Sequence, residues 1–300
     1  MNALGFAVLG GSVIGREHRE AGRNNQDCHL VESESDCIVA LVADGCSSSK
    51  SSEVGARIGV RLTTKAIRFH WRRFVTRTNP ADLPKASFPH WERVRQDVLA
   101  QLRVVAMGMG DNFGEIVEEF LMFTLVGVLI TPWETYFFSI GDGKIVVNEE
   151  NIPIGPFPGN MPPYIGYGLV ETSLSRERPE LLSFLIHRRL PTTELHSFLI
   201  GSDGLDDFER SEGHPIPGQT RPVGPLSQFW YDNGLYQMIP NREKMGLLEH
   251  NEDLVRRRLH LVGRDVGKID PLSRQHTVFH GLLSDDTTLI VGRRNPMEAS

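Results

Sequence analysis

The sequence predicts an α+β fold, one that combines β-strands with α-helices, on two observations. Five short apolar runs are rich in β-branched or aromatic residues and are bounded by turn residues, which is typical of buried strands. They are Cys37–Ala43, Phe123–Ile130, Thr135–Ile140, Ser197–Ile200 and Thr287–Val291. Other segments repeat apolar side chains every three or four residues, which is the period of one helix face.

The first predicted helix follows the strand that ends at Ala43. Ser51-Ser52-Glu53 can cap the free amides of a helix start. Apolar residues then recur at intervals of four, at Val54, Ile58, Leu62 and Ala66. Gly55 and Gly59 would let this helix pack closely against its neighbours.

Two further helices are expected. Spacings of three and four predict one through Trp91, Val94, Val98, Leu102 and Val105, and another lies around 251–262. Arg256-Arg257-Arg258 falls on this last helix between apolar residues, so we interpret it as a solvated face rather than a nucleic-acid patch.

Three other segments are predicted from proline and glycine. Residues 181–187 and 195–200 flank a proline-containing turn and are expected to form a hairpin. Residues 151–168 hold five prolines and four glycines, which predicts a loop or insertion, and residues 209–241 are similarly irregular. With no repeat and no low-complexity linker, we expect one domain over residues 1–300.

Composition excludes several classes of protein. The chain has 300 residues, 40% of them hydrophobic and 23% charged, which is ordinary globular composition. A net charge of −6 argues against nucleic acid as a partner. The longest apolar run, Phe120–Ile130, is eleven residues and too short to span a bilayer, and the first residues lack the basic start of a secretory signal. We expect a cytoplasmic protein without a membrane partner, and its three cysteines to be reduced.

The chemistry is concentrated where apolar runs meet aspartate. Asp44, Asp142 and Asp203 each follow such a run and adjoin glycine, and Asp285-Asp286 directly precedes another. One Asp-Gly alone is most often a turn. Together these sites predict a carboxylate cluster at one sheet edge. An all-oxygen set favours Mg²⁺ or Mn²⁺, and two such ions about 3.5 to 4 Å apart can aim an activated water at a phosphoryl group.

The ordered blocks GREHREAGRNNQDCHL, ALVADGCSSSKSSEVGARIGV, FFSIGDGKIVVN, FLIGSDGLDDF and LLSDDTTLIVG resemble the metal-dependent protein phosphatases of the 2C type, most closely the bacterial members. The resemblance spans residues 16–292, although 61–120 and 208–281 carry little of it. It implies a four-layer α-β-β-α sandwich of two mainly antiparallel sheets. It also implies hydrolysis of phosphoserine or phosphothreonine in proteins, with a cognate kinase as a further partner.

The resemblance also implies a role for each aspartate at a centre of two Mn²⁺ or Mg²⁺ ions. Asp44 would bridge both ions, and the Gly45 carbonyl would bind one of them. Asp203 and Asp285 would bind the other ion. Asp27 and Asp207 match aspartates that hold metal-bound waters, and Asp142 matches one that holds a weaker third ion together with Asp203.

Several positions depart from the family pattern. Gln26 replaces a glutamate, Ser47-Ser48 a glycine pair, and Gly143-Lys144 a serine-arginine pair. The arginine that grips substrate phosphate is replaced by Gly22, so Arg23 or Arg16 would take its place.

Cys46 stands where some members have a histidine that protonates the leaving group. His18 is a candidate acid or phosphate ligand, although a single histidine near a strand is more often structural. The metal centre itself is a further source of the proton.

Motifs of other enzyme classes are missing from the sequence. Gly10-Gly11 and Gly15 lack the spacing of a dinucleotide loop, and neither a P-loop nor a serine-hydrolase motif occurs. The main alternative is a catalytically silent member that keeps the fold, binds a partner and uses metal structurally. The missing arginine and histidine favour it, whereas the retained carboxylates favour the enzyme.

Overall fold

The computed structural model describes residues 4–155, 157, 161–229 and 253–294. Its strands are β1 (Phe6–Val13), β2 (Cys28–Ser33), β3 (Ile38–Gly45), β4 (Phe123–Ile130), β5 (Glu134–Ile140), β6 (Lys144–Val147), β7 (Glu150–Ile152), β8 (Leu185–Pro191), β9 (Ser197–Gly201), β10 (Val266–Ile269), β11 (His276–Phe279) and β12 (Thr287–Arg294). Its α-helices are α1 (Arg16–Glu20), α2 (Ser52–Arg77), α3 (Trp91–Met109), α4 (Phe113–Phe120), α5 (Ser173–Glu177), α6 (Leu205–Arg210) and α7 (Leu254–Gly263).

The strands form two antiparallel five-stranded sheets and one separate hairpin. Sheet I has the order β2-β3-β4-β5-β8, and sheet II has the order β1-β12-β9-β6-β7. Strands β10 and β11 pair only with each other within the described residues. The chain thus has both the α+β class and the antiparallel sheets that the sequence analysis expected.

Three apolar clusters define four layers. Ile38, Ala40 and Val42 of β3 pack with Ile200 and Ile290 between the two sheets. The alternate residues of β3 face α2 and α3 on the other side of sheet I. A third cluster joins sheet II to α6 and α7. Because both faces of the central strands are covered, β3 and β4 are apolar or glycine except at Asp44 and Thr124, instead of alternating with polar residues.

Helix α2 lies close to sheet I because it carries glycine where it crosses the neighbouring chain. A Cβ on Gly55 would lie 2.1 Å from the Phe120 carbonyl oxygen, and one on Gly59 would lie 2.2 Å from the Phe123 ring. Both positions therefore exclude a larger residue. This confirms the predicted close packing, and it fixes the start of α2 beside the end of β3.

The predicted hairpin of residues 181–187 and 195–200 is wrong. Strand β8 pairs with β5 in sheet I, whereas β9 pairs with β12 and β6 in sheet II. A short 3-10 helix, Thr192–Glu194, carries the chain across, and Arg294 donates hydrogen bonds to the carbonyls of Thr192 and Leu195. The proline does end the strand, but the chain passes to the other sheet.

The segments predicted to be irregular contain short elements. Residues 151–168 include the end of β7 and a 3-10 helix, Ile165–Gly168. Residues 209–241 begin with the end of α6 and include the bridge between Pro215 and Pro222, and residues 230–241 lie outside the described part. No described helix combines the length and apolarity that crossing a bilayer requires.

Candidate metal centre

Strand register brings the sequence-predicted aspartates to one end of the sandwich. In sheet I, Cys28 pairs with Ala43 and Asp44 pairs with Thr124, so the start of β2, the end of β3 and the start of β4 coincide. In sheet II, Gly201 pairs with both Lys144 and Leu289. The segments that carry Asp27, Asp44, Asp142, Asp203 and Asp285 therefore leave the two sheets at the same end. We call these five residues the carboxylate cluster.

Asp27 and Asp44 form the inner part of the carboxylate cluster. Asp27 is 4% exposed, and burial followed by the charge of Asp286 raises its pKa well above the usual range. Burial likewise raises the pKa of Asp44, which is raised further by Asp27 and Asp203. Both shifts have burial as the largest cause and neighbouring carboxylates as the next.

Asp142, Asp203 and Asp285 form the outer part. Burial and then the charge of Asp203 raise the pKa of Asp142 to about 6. The pKa of Asp285 is also raised, again by burial and then by Asp203. Asp203 thus lies close enough to Asp44, Asp142 and Asp285 to perturb each of them.

Glycines shape the backbone around these carboxylates. Gly141 and Gly143 flank Asp142 with φ of +93° and +129°, a region that L side chains rarely adopt. A Cβ on Gly45 would lie 2.5 Å from Ser52 Oγ and 2.8 Å from the carbonyl oxygen of Gln26. The backbone therefore comes close to its neighbours at Gly45 and turns sharply at Gly141 and Gly143, as the Asp-Gly pairs in the sequence predicted.

Asp286 joins the N-terminal and C-terminal parts of the site. It is 1% exposed, and its carboxylate accepts hydrogen bonds from the amides of Gly15 at 2.7 Å and Gln26 at 2.6 Å. Its Oδ2 also lies 2.8 Å from Nδ1 of His18. His18 is thereby fixed on α1, beside the loop that carries Asp285.

Asp207 has a different environment from the carboxylate cluster. Its Oδ2 accepts hydrogen bonds from the amides of Ser284 at 2.8 Å and Asp285 at 3.1 Å, and its Oδ1 accepts one from Arg210. Asp207 therefore positions the loop that presents Asp285.

The two candidate arginines are held by protein groups. Arg23 is exposed and donates a hydrogen bond to the carbonyl of Ser47, three residues after Asp44. Arg16 donates to the carbonyl of Gly281 at 3.5 Å and lies 3.9 Å from Glu20. Of the two, Arg23 is the one in contact with the loop that follows Asp44.

Cys46 lies at the mouth of the site. Burial raises the pKa of its thiol, but hydrogen bonds from Ser48 and Tyr164 outweigh this and leave the pKa below the ordinary value. Tyr164 is close enough to Asp142 and Asp44 that their charges raise the pKa of its phenol, after burial and Cys46 itself. The loop of residues 151–168 therefore reaches the site through Tyr164.

A tighter group of potential metal ligands among the described residues lies outside the carboxylate cluster. Ligand atoms of Glu34, Asp36 and Cys37 lie within 4.8 Å of one another at the turn between β2 and β3. Arg68 and Arg72 already form ion pairs with Glu34 there. None of the five residues of the carboxylate cluster belongs to a group of three this tight among the described residues.

The carboxylate cluster fits divalent cations on two further observations. Asp27 Oδ1 and Gln26 Oε1 are buried and have no hydrogen-bond partner. Buried oxygens without partners and adjacent carboxylates both cost free energy that a cation offsets. The donors are oxygens, which suits Mg²⁺ or Mn²⁺.

Comparison with known proteins agrees with this geometry. The family model described as protein phosphatase 2C matches residues 14–229 of the 300. The chain belongs to the protein phosphatase 2C family. This family is metal-dependent, and the matched range holds every carboxylate of the cluster except Asp285. A search of curated proteins found no match.

Solved structures resemble this phosphatase 2C chain in fold. A Caenorhabditis elegans sex determining protein has a TM-score of 0.52 at 13% identity, with 98% of this chain and 66% of that chain covered. A bacterial serine phosphatase has a TM-score of 0.45 at 13% identity, with 96% of this chain and 97% of that chain covered. The serine/threonine phosphatase Stp1 from Staphylococcus aureus has a TM-score of 0.40 at 11% identity, covering 95% and 94%. Only the first of these three scores exceeds 0.5, and it shows the fold alone.

The sequence predicted the pair Asp285-Asp286 as part of the carboxylate cluster but gave no separate role for Asp286, and it did not indicate Ser202 or Tyr164 as parts of this phosphatase 2C site. Ser202 donates a hydrogen bond to Asp27 at 2.7 Å and accepts one from the Thr288 amide. The buried position of Asp286 could have been predicted from sequence. Neighbouring residues at the start of a strand face opposite sides, so one member of the Asp285-Asp286 pair must point inward. Tyr164 carries no such pattern, because it comes from an irregular loop.

Proposed function

We propose that this chain is a serine/threonine phosphoprotein phosphatase that uses two Mn²⁺ or Mg²⁺ ions, and that residues 1–300 act as one domain. The observation that carries this proposal is the convergence of five carboxylates at one end of the sandwich, where burial and then neighbouring carboxylates raise the pKa of Asp27, Asp44, Asp142 and Asp285. Membership of the phosphatase 2C family supports the reaction class.

The proposed ligands follow the placement of the side chains. Asp44 is close enough to both Asp27 and Asp203 for their charges to raise its pKa, and it would bridge the ions, with the Gly45 carbonyl beside it. Asp203 and Asp285 would complete the ligands of one ion, and Asp142 with Asp203 would hold a more weakly bound third ion. Asp27 and Asp207 would act through water. The bound ions would supply an activated water and neutralise charge on the phosphoryl group.

The chain's own residues would position the substrate and move a proton. His18 is held by Asp286 through Nδ1, and its other ring nitrogen would donate a proton to the leaving serine or threonine oxygen. Arg23 would exchange its bond to the Ser47 carbonyl for the substrate phosphate, since a guanidinium binds two phosphate oxygens at once. A kinase must supply the phosphoprotein that this reaction consumes, and we place both proteins in the cytoplasm.

The test is phosphate release from a phosphoserine peptide with excess Mn²⁺. Asp203→Asn is expected to lower kcat at least about a thousandfold, because it removes a ligand charge. The matched control is Asp206→Asn, an exposed aspartate three residues away that pairs with Lys144 at 3.3 Å. Equal rates for wild type and Asp203→Asn would refute the enzyme.

A catalytically silent, partner-binding member is the second candidate. The observation that favours it is that both candidate arginines are occupied by protein groups. Calorimetric titration with Mn²⁺ separates the two functions. Tight binding that Asp44→Ala abolishes, without turnover in any arm, would establish the silent member.

A further inference from the structure

The outer face of α2 carries an unusual concentration of positive charge. The helix has seven Lys and Arg residues and one glutamate, so it carries +6 in a chain whose net charge is −6. The remainder of the chain therefore carries −12. We use the name basic stripe for five of these cations: Arg57, Arg61, Lys65, Arg68 and Arg72.

The basic stripe is continuous along the helix. Its members are spaced by four, four, three and four residues, which places them within an arc of about 80° at 3.6 residues per turn. From Arg57 to Arg72 the stripe is about 22 Å long at 1.5 Å per residue. An extended peptide of about six or seven residues covers the same length.

One end of the basic stripe adjoins the carboxylate cluster. Helix α2 begins at Ser52, whose hydroxyl donates to the carbonyl of Cys46, two residues after Asp44. Arg57 and Arg61 are close enough to Cys28 to oppose the rise in the pKa of its thiol that burial causes. Cys28 directly follows Asp27. The stripe therefore leads from the rim of the proposed active site outward.

The protein neutralises only the far end of the stripe. Arg68 pairs with Glu32 and Glu34, and Arg72 pairs with Glu34. Within the part of the chain that the structure describes, no carboxylate lies within 4.0 Å of Arg57, Arg61 or Lys65, all of which are exposed. The near end thus presents three cations to an outside anion.

The neighbouring surface has room for side chains of a partner. Phe69 is 57% exposed, and it lines an open groove of about 550 Å³ together with Lys65, Arg73 and Thr76. Phe69 would give an apolar contact beside the cations. A surface that combines Arg with an exposed aromatic side chain is typical of a protein-binding site.

We propose that the basic stripe docks an acidic segment of the phosphoprotein substrate while the phosphorylated residue enters the carboxylate cluster. This inference rests on the proposed phosphatase function. A short acidic peptide has the length and the charge to bind along the stripe. A long nucleic acid would in addition be repelled by the net charge of −12 on the remainder of the chain. The substrates of this enzyme are therefore phosphoproteins with several Asp or Glu residues near the phosphorylated serine or threonine.

The experiment compares two phosphoserine peptides that are identical near the phosphate. One continues into a run of six glutamates and the other into six glutamines, and p-nitrophenyl phosphate serves as a small substrate. The variant is Arg57→Glu/Arg61→Glu/Lys65→Glu. The matched control is Arg176→Glu/Arg178→Glu/Arg188→Glu, three exposed arginines outside α2 whose reversal changes net charge equally. Thermal unfolding with Mn²⁺ checks that both variants are folded.

At low salt the α2 variant is expected to lose at least about tenfold in kcat/KM on the acidic peptide, mainly through KM. Its rates on the glutamine peptide and on p-nitrophenyl phosphate are expected to stay within about twofold of wild type. At 0.5 M salt the difference should disappear, because exposed charges are screened there. Equal losses in the α2 variant and the control variant would overturn the docking site.

Two further outcomes separate this inference from the proposed function. If no substrate turns over, the phosphatase function fails, and fluorescence anisotropy with the unphosphorylated glutamate peptide still tests docking on its own. Loss of peptide binding in the α2 variant alone would support the basic stripe. Binding of a 20-nucleotide single-stranded RNA, without binding of the glutamate peptide, would overturn it in favour of nucleic acid.

Discussion

The two ends of the sandwich treat their carboxylates in opposite ways. At the end away from the cluster, Glu134 begins β5 and accepts hydrogen bonds from Arg189 at 2.8 Å and from the hydroxyl of Tyr136. That hydroxyl accepts a further bond from the Phe88 amide at 2.8 Å. At the cluster end, Asp27 Oδ1 is buried without a partner, and its nearest charges are also negative.

The difference lies in which carboxylates have a positively charged partner in the protein. At the Glu134 end the protein supplies its own counter-charge. The Glu134 carboxylate accepts hydrogen bonds from the Arg189 guanidinium and thereby raises the pKa of Arg189. Among the described residues, no cation forms an ion pair with the carboxylate cluster, and in the proposed function bound metal ions would supply that charge. The same strands reach both ends, but only the Glu134 end is neutralised by the protein. We therefore expect fold stability and metal affinity to respond to different substitutions.

The largest expected effect is metal-dependent stability. Mn²⁺ at about 100 times its Kd should raise the free energy of unfolding by roughly 3 kcal/mol for one ion and roughly 5 kcal/mol for two. Asp44→Asn should lose most of this gain, whereas Glu134→Ala should keep it. Urea unfolding with and without Mn²⁺ measures both. An undiminished gain in Asp44→Asn would break the comparison.

A smaller effect is expected at the opposite end. Glu134→Ala should lower the free energy of unfolding by about 1 to 3 kcal/mol, because it leaves the buried Tyr136 hydroxyl without its acceptor. Its kcat should not change. Glu150→Ala is the control, since Glu150 and Arg188 form an exposed pair at 3.2 Å whose loss should cost under about 0.5 kcal/mol. Equal losses would show that exposure does not distinguish the two pairs.

The smallest expected effect is the pH dependence of the metal-free protein. The pKa of Asp142 is about 6 in the folded state against a usual 3.8, so the folded protein binds more protons between these values. Its unfolding free energy should therefore rise as pH falls from about 6.5 to 4, with Asp142 contributing about 1 to 2 kcal/mol. Asp142→Asn should flatten the curve. Urea unfolding at each pH, without metal, gives the slope, and an unchanged slope in the variant would contradict the assignment.

Strands that are buried on both faces were predictable from sequence. Phe123–Ile130 was bounded correctly to the residue, since eight consecutive apolar or small residues fit only a covered strand. Strand β2, CHLVES, was missed because it is a half-exposed edge strand of mixed composition. Strand β1 was missed because Gly10 and Gly11 weaken its strand propensity. Helix α7 requires Gly11, since a Cβ there would lie 2.4 Å from the Arg256 amide.

The aspartates of the site were predictable because each adjoins glycine or a strand, whereas their partners were not. Asp27 depends on Ser202, which is 175 residues away in the chain, and His18 depends on Asp286, which is 268 residues away. No local pattern encodes such pairs. They arise from the sheet register, and the failed hairpin between β8 and β9 shows that register between distant strands was the least predictable property.

Strand β12 has a consequence for how the molecule is made. It lies between β1 and β9, and among the described strands β1 has no other partner in sheet II. During synthesis on a ribosome, the first strand must therefore wait for residues 287–294 to emerge before it can pair. The same segment brings Asp285 and Asp286, so a polypeptide terminated before residue 285 would have neither the central strand of sheet II nor two of the carboxylates on which the proposed metal centre depends.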